Sequence, residues 1–400
     1  MTVRRLGPRP LSLHLAAATT AWMNSLAALP LSRSGWPGWR PEAPLAALGP
    51  ELADAAAEPL QEAVAREIRR RLDLLLTGIE RYRGHPYRRS PTDTPVVWNE
   101  DATRIHDYRP AGGLPLLVVP SLVNRGYVLD LTPGRSLLRF LADAGFRPML
   151  VEWGDPGPRE RQFTLSDYVA GRLERALARA VEMAGGPVPV IGYCMGGLFA
   201  VALAQRRPDR VRGLVLMATP WDFHAGQAAR ARALAAAFLP ALPTIAAWGE
   251  LPVDVIQAIF AGLDPLQVPQ KFMRFAGMAE GSAGAEAFVA LEDWLNDGVA
   301  LAAPVAAECL VGWYGRNDPA RGMWQLAGEP VRPERLSLPS LHLIPDRDRI
   351  VPPDSARALA TAMPGADIME PPLGHIGMVV SGRADRAVWR PLVEWLGRLP

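Results

Sequence analysis

The sequence feature that most constrains this chain is residues 188–198, where an apolar run stops at a cysteine set among glycines. The run reads Val-Pro-Val-Ile-Gly-Tyr-Cys-Met-Gly-Gly-Leu and predicts a buried strand, a tight turn and a helix that begins at Leu198. Three glycines suit a turn too sharp for bulky neighbours: Gly192, Gly196 and Gly197. Such an elbow holds its central side chain at a strained apex and leaves the next backbone N–H groups free at a helix N-terminus. We therefore interpret Cys194 as a nucleophile; the alternative is a small buried cysteine beside glycines that only allow close packing.

Composition narrows the class of protein. The chain has 400 residues, 49% of them hydrophobic, which is enough for one main domain with additions. Its formal net charge is +2, so nothing indicates nucleic-acid binding. The two cysteines, Cys194 and Cys309, do not suggest a secreted disulfide scaffold and favour a reducing cytoplasm. The six histidines show no paired spacing with each other or with cysteine, and we predict no metal site.

The N-terminal region predicts helices. Residues 11–31 are rich in Leu and Ala, but polar residues interrupt the run and no small-x-small cleavage site follows. We expect a helix packed on the protein or on an apolar surface, with neither a signal peptide nor a transmembrane span. An amphipathic helix follows, from Leu60 to about Gly84. Residues 86–95 indicate a boundary, so residues 1–94 are assigned to an N-terminal helical region.

Beyond that boundary, short apolar strands alternate with helices. The predicted strands are 96–98, 103–108, 114–119, 148–153, 188–193, 212–218, 338–344 and 366–369. This alternation predicts an α/β fold with a mainly parallel sheet covered by helices, and it places chemistry at the carboxyl ends of the strands. Residues 221–335 break the pattern, being helical, loop-rich and aromatic, and they predict an inserted helical lid. The core is then residues 95–220 and 336–400.

A nucleophilic thiol needs a base, and the base needs a group that fixes its tautomer. His375 is the candidate base because it lies in a loop after the last predicted strand. Three aspartates compete for the acid. Asp348 is favoured because it follows a strand and directly precedes the next element; Asp346 is the second choice, and Asp354 is interpreted as a helix N-cap.

An acyl-transfer site also needs donors for the oxyanion that forms on the carbonyl. One predicted donor is the backbone N–H of Met195, directly after the nucleophile. The other should come from the loop after the strand that ends at Val119, either from Leu122 or from Val123.

Several stretches resemble poly(3-hydroxyalkanoate) synthases. They are residues 119–136, 153–156, 164–168, 192–197, 218–223, 348–352 and 374–377. The resemblance implies an α/β-hydrolase fold with a lid, a triad of Cys194, His375 and Asp348, and 3-hydroxyacyl-CoA as the acyl donor with no further cofactor. These synthases commonly carry a histidine straight after the acid, whereas this chain carries Arg349.

The leading hypothesis is an acyltransferase that moves 3-hydroxyacyl groups from CoA to a growing polyester through a Cys194 thioester. A cysteine thioester is close in free energy to acyl-CoA, so the acyl group can be loaded onto the enzyme and transferred to a hydroxyl group without forming an overly stable intermediate. The expected partners are 3-hydroxyacyl-CoA, the polyester chain, a second copy or a partner synthase subunit, and a cytoplasmic granule surface. The alternatives are a polyester depolymerase or thioesterase with the same triad, and a catalytically weak granule-binding protein.

Overall fold

The structure is a computed structural model that describes residues 5–33, 49–90 and 93–400. Contacts divide the chain into two units. The first unit comprises Met1–Arg88 and Gln257–Asn296, and the second comprises Arg89–Ile256 and Asp297–Pro400. The second unit therefore carries the candidate nucleophile, acid and base. The sequence-based limits at residues 94, 220 and 335, including the lid, stay predictions.

The strands predicted over residues 103–108, 114–119 and 188–193 match observed strands to within one residue at each end. The strands are β1 (Val96–Glu100), β2 (Thr103–Asp107), β3 (Leu114–Val119), β4 (Asp130–Thr132), β5 (Arg135–Ser136), β6 (Phe146–Glu152), β7 (Val188–Tyr193), β8 (Val211–Met217), β9 (Glu250–Leu251), β10 (Leu301–Ala302), β11 (Gln325–Leu326), β12 (Glu329–Pro330), β13 (Ser340–Leu343) and β14 (Asp367–Met369). The helices are α1 (Leu11–Arg33), α2 (Gly49–Asp54), α3 (Ala57–Gly84), α4 (Leu137–Asp143), α5 (Glu174–Ala184), α6 (Met195–Arg206), α7 (Ala228–Phe238), α8 (Leu242–Trp248), α9 (Val253–Ala261), α10 (Gln267–Ala276), α11 (Ala283–Asn296), α12 (Ala303–Ala307), α13 (Pro353–Ala362), α14 (Gly377–Val380) and α15 (Arg390–Leu396).

The second unit is built on an eight-stranded sheet with the strand order β1-β2-β6-β3-β7-β8-β13-β14. The β1–β2 and β2–β6 pairs are antiparallel, and all pairs from β6 to β14 are parallel. Every residue of β7 is buried, as expected of a central strand covered on both faces, which reads in sequence as an uninterrupted apolar run. The predicted α/β-hydrolase type of fold, with a mainly parallel sheet, is confirmed.

Two predicted helices differ in detail from the observed ones. The helix after the cysteine begins at Met195, not at Leu198, because the turn is completed within one residue and both following glycines lie inside the helix. The long helix predicted over residues 165–183 opens with a wider π-helical segment, Asp167–Leu173, before α5 continues to Ala184. Gly185, at φ 70°, ends α5 in the left-handed conformation that glycine adopts without strain.

The segment Ala228–Trp248 has the length and composition of a candidate membrane span. In the structure it is two helices, α7 and α8, separated by a 3₁₀ turn at Leu239–Ala241, and most of it is exposed. Pro240 and Pro243 account for the break, because each lacks the N–H that a continuous helix would use. A single run of this kind is weak support for a membrane span.

The first unit is helical, as predicted for the N-terminal region. Trp22 of α1, Leu75 of α3 and Phe272 of α10 are buried in one apolar cluster. Gly78 permits this packing, since a Cβ atom there would lie 2.1 Å from the carbonyl oxygen of Phe272. The predicted helix over residues 11–31 therefore packs on the protein through part of its surface.

Candidate active site

The candidate nucleophile stands at the junction of β7 and α6. Cys194 has φ 55° and ψ −125°, a conformation that costs a non-glycine residue energy and is concentrated at functional sites. Its backbone N–H donates to the carbonyl oxygen of Met217 at 2.8 Å, which ties the elbow to the end of β8. Its own carbonyl oxygen accepts from the N–H of Gly197 at 2.9 Å. The strained turn is thus held by hydrogen bonds on both sides.

Two glycines allow the backbones around this elbow to approach one another. A Cβ on Gly192 would lie 2.5 Å from the Cα of Gly197, so β7 and the first turn of α6 are in direct contact. A Cβ on Gly196 would lie 2.1 Å from the carbonyl oxygen of Val119, at the end of β3. Side chains at these positions would separate the cysteine from the neighbouring strand end.

The candidate base and acid come from two loops at the carboxyl ends of neighbouring strands. Asp348 follows β13 and His375 follows β14, and both side chains are buried. The Nδ1 atom of His375 lies 2.6 Å from Oδ2 of Asp348. The other carboxylate oxygen of Asp348 accepts the backbone N–H groups of Ile350 at 2.8 Å and Val351 at 2.9 Å. The ionised acid thus holds a proton on Nδ1 and leaves Nε2 for the thiol.

The charge state of His375 depends on both of its neighbours. Burial alone would lower the pKa of His375, but the negative charges of Cys194 and Asp348 and its hydrogen bonds to both side chains outweigh burial and raise this pKa to about 10. The site therefore stabilises the imidazolium that forms when His375 accepts the proton of the Cys194 thiol.

The structure separates the three competing aspartates. Asp346 is exposed and lies 3.8 Å from Arg347 Nε. Asp354 is not an N-cap: Pro352 occupies that position, and Asp354 lies in the first turn of α13, 2.5 Å from Arg357. That expectation was wrong because Pro352, with φ −52° and ψ 138°, takes the extended conformation of a cap residue two residues earlier than predicted.

The two cysteines differ in their surroundings. Both are free thiols, Cys194 being half-buried and Cys309 buried. Burial raises the pKa of the Cys309 thiol well above its usual value, and the nearby Glu308 adds to that effect. Cys309 is therefore a protonated, inert thiol at neutral pH.

The candidate oxyanion donors are not equivalent. Among the described residues, neither the Met195 N–H nor the Leu122 N–H donates a hydrogen bond to another protein group. The Val123 N–H, by contrast, donates to Oγ of Ser121 at 3.0 Å. Because the Val123 N–H is already engaged, Leu122 is the stronger of the two loop candidates to act with Met195.

An ion-pair network that the sequence did not reveal fixes the loop after β3. Arg125 Nη2 lies 2.9 Å from Asp155, and its Nε lies 3.0 Å from Asp297. The Tyr127 hydroxyl donates to the same Asp297 carboxylate at 3.2 Å. No pattern in the sequence links these residues, because the pairing depends on three loops meeting in space.

A second contact missed in the sequence involves the residue directly before the cysteine. The Tyr193 hydroxyl donates to the carbonyl oxygen of His375 at 3.2 Å, and the two rings lie 5.3 Å apart. Arg349, beside the acid, is exposed. In the ranges 5–33, 49–90 and 93–400, no group of three His, Cys, Asp or Glu side chains could hold a metal ion.

Comparison with known proteins places these features in a family. Residues 115–250 match the family model for the alpha/beta hydrolase fold. The chain is 30% identical over 314 residues to the poly(3-hydroxyalkanoate) polymerase subunit PhaC of Allochromatium vinosum, covering 75% of this chain and 87% of that protein. It is 30% identical over 318 residues to the subunit of the same name from Synechocystis sp., covering 76% of this chain and 84% of that protein. The PhaC subunit of Haloferax mediterranei is also 30% identical, over 76% of this chain but only 63% of that longer protein.

Proposed function

The chain belongs to the family of poly(3-hydroxyalkanoate) polymerase PhaC subunits, and from this premise we propose that it transfers 3-hydroxyacyl groups from CoA to a growing polyester. The observation that carries the proposal is the arrangement of Cys194, His375 and Asp348. A strained elbow presents the thiol, and the candidate base is held by a buried carboxylate at 2.6 Å. This arrangement supports nucleophilic acyl transfer.

In the first half-reaction, the thiol proton moves to Nε2 of His375 and the sulfur of Cys194 attacks the carbonyl carbon of the acyl-CoA. The negative charge on the carbonyl oxygen is stabilised by the N–H groups of Met195 and Leu122. The bond from this carbon to the sulfur of CoA then breaks, and the imidazolium returns its proton to the departing CoA. The product is an acyl thioester on Cys194.

In the second half-reaction, His375 accepts the proton of a 3-hydroxyl group at the end of an acyl chain. The hydroxyl oxygen attacks the thioester carbon, an ester bond forms, and the bond to Cys194 sulfur breaks. The imidazolium proton then returns to the thiolate. Throughout both steps Asp348 keeps the imidazole in one tautomer and stabilises its charged form.

The use of cysteine supports transfer over hydrolysis. A cysteine thioester lies close in free energy to acyl-CoA, so loading is reversible and the driving force is kept for ester formation. A serine ester would lose that driving force at the first step. The acyl-CoA thioester is a substrate in this scheme and free CoA is a product, and its steps require no further cofactor.

The test is to incubate the purified protein with 3-hydroxybutyryl-CoA and to measure free CoA, free 3-hydroxybutyrate and polymer separately. We expect CoA release matched by polymer, abolished in Cys194→Ala and retained in Cys309→Ala, the matched control cysteine. Free acid in amounts equal to CoA would assign the site to a hydrolase. Release that survives in Cys194→Ala would refute the assignment of the nucleophile.

We further propose that the enzyme works in the cytoplasm, at the surface of polyester granules, with a second copy or a partner synthase subunit. The two free thiols are consistent with a reducing compartment. Co-sedimentation of the full chain with granules, and its mass in solution with and without 3-hydroxybutyryl-CoA, would test these points.

A further inference from the structure

Tyr193 occupies an unusual position between the nucleophile and the base. It is the last residue of β7, it directly precedes Cys194, and it is only 4% exposed. Its hydroxyl donates to the backbone oxygen of His375 at 3.2 Å. Its ring centre lies 5.3 Å from that of the imidazole, with an angle of 35° between the two planes. The tyrosine therefore contacts both the backbone and the side chain of the candidate base.

The hydroxyl of Tyr193 is a permanent donor. Burial raises its pKa well above the usual value, and the negative charges of Cys194 and Asp348 act in the same direction. A neutral phenol can keep its hydrogen bond to the His375 carbonyl at every pH at which the enzyme works.

The hydrogen bond from Asp348 cannot position the imidazole alone. It fixes one atom, Nδ1, and leaves the ring able to tilt about the Nδ1–Oδ2 axis. Moving Nε2 by about 1 Å at the far side of the ring would cost on the order of 10²-fold in rate. The face of Tyr193 packs against the imidazole and limits this tilt, while its hydroxyl fixes the backbone from which the ring projects.

We propose that Tyr193 is a positioning residue that aligns His375 with the thiol of Cys194. The nucleophile and the group that aligns its base are then adjacent residues at the end of one buried strand. This inference rests on the proposed acyl-transfer site, in which Tyr193 itself touches neither the acyl group nor CoA.

Two substitutions distinguish the hydrogen bond of the Tyr193 hydroxyl from the packing of its ring. Tyr193→Phe removes the hydroxyl and keeps the ring, whereas Tyr193→Leu removes both. The readout is the pH dependence of Cys194 alkylation by iodoacetamide, with the site identified by peptide mass. In the wild type, an aligned imidazole can accept the thiol proton as the sulfur attacks, and it should make Cys194 react faster at pH 7 than an ordinary thiol, whose pKa is about 8.5. We expect the alkylation rate at pH 7 to fall about 10-fold in Tyr193→Phe and about 100-fold in Tyr193→Leu, and the profile to shift towards that of an ordinary thiol.

Tyr82→Phe is the matched control, because Tyr82 is also buried and donates its hydroxyl to Asp293 at 2.9 Å, within the first unit. It should lower stability without changing the alkylation profile. Circular dichroism selects variants that remain folded, and Tyr193→Phe keeps the test available if Tyr193→Leu does not fold. If folded Tyr193→Phe keeps the wild-type alkylation rate and pH profile, the role of the hydroxyl is refuted. If folded Tyr193→Leu also keeps the wild-type rate and profile, the whole proposal is refuted.

Alkylation requires neither acyl-CoA nor polymer, so it separates this inference from the proposed function. If the wild type releases no CoA but the Tyr193 variants shift the profile as expected, the proposed function fails and the positioning role stands. If wild-type Cys194 is alkylated at pH 7 no faster than an ordinary thiol, the positioning role itself is refuted. With 3-hydroxybutyryl-CoA as substrate, the positioning role predicts a fall in kcat of Tyr193→Phe with KM unchanged.

Discussion

The Asp348→Asn substitution tests the orientation of the base most directly, because the surroundings dictate how the new amide must lie. One carboxylate oxygen of Asp348 accepts the N–H groups of Ile350 and Val351, and the other faces Nδ1 of His375. An asparagine keeps its single oxygen for the two N–H donors, which turns its NH₂ group towards Nδ1. The imidazole must then accept at Nδ1 and carry its proton on Nε2, where it can no longer accept the proton of Cys194.

The size of the effect follows from the cost of turning the amide over. The flipped amide would restore an acceptor for His375 but leave two buried N–H donors without partners, at about 1–3 kcal/mol each. At a total cost of about 2–6 kcal/mol, the flipped, productive amide is present in only about one molecule in 30 to about one in 25,000. The upper part of this range agrees with the loss of about 10⁴ known for the same change in a serine-protease triad. We expect a loss of about 10³ in the rate of CoA release.

The assay is single-turnover CoA release from 3-hydroxybutyryl-CoA, with Asp346→Asn as the matched control. Asp346 is exposed and its ion pair with Arg347 spans 3.8 Å, so its replacement should change the rate less than about twofold. A loss below about 10-fold in Asp348→Asn, or a larger loss in Asp346→Asn, would refute this account of the acid.

Two further predictions concern residues outside the triad. His342 is buried in β13, where burial lowers its pKa from 6.5 to about 4, so the unfolded chain binds the extra proton. Neutral His342 therefore contributes about 3 kcal/mol to the free energy of unfolding above pH 6.5, and this contribution is lost as the pH falls towards 4. In urea unfolding at pH 7 and 4.5, His342→Leu should lose less stability on acidification than the wild type. An equal loss in both proteins would contradict this role of His342. A Cβ in Gly196→Ala would lie 2.1 Å from the oxygen of Val119 and 2.7 Å from that of Pro120, so the elbow must move and CoA release should fall about 100-fold. Gly171→Ala, where the Cβ would meet only side-chain atoms at 3.8 Å, is the control, and a wild-type rate in Gly196→Ala would show that the elbow tolerates the shift.

The central sheet could be predicted closely because its strands are covered on both faces. The strand predicted over residues 114–119 is β3, Leu114–Val119, since burial on both sides leaves an uninterrupted apolar run. The start of α6 was misplaced by three residues, because the strained conformation of Cys194 turns the chain without using the glycines as a loop. Local patterns indicate element types well, but they do not reveal a single residue with unusual dihedral angles.

The sequence predicts the candidate site only in part. Asp348 and His375 could be chosen because each ends a loop after a predicted strand, and parallel strands bring such loops to one edge. The contact of Tyr193 with His375 and the ion pairs of Arg125 could not be foreseen. The first depends on the order of the strands across the sheet, in which β13 lies directly beside β8 although more than a hundred residues separate them in sequence, and the second depends on three loops meeting in space.

The late position of the acid and base has a consequence for how the chain matures. His375 lies 181 positions after Cys194. At about 5–20 residues per second, a ribosome needs roughly 9 to 36 s to travel from the cysteine codon to the histidine codon. During that interval the nascent polypeptide carries the thiol without the imidazole that activates it, so it cannot be acylated efficiently. Translation itself thus delays the onset of chemistry until the proposed base has been added, and an enzyme with its base upstream of the nucleophile would have no such delay.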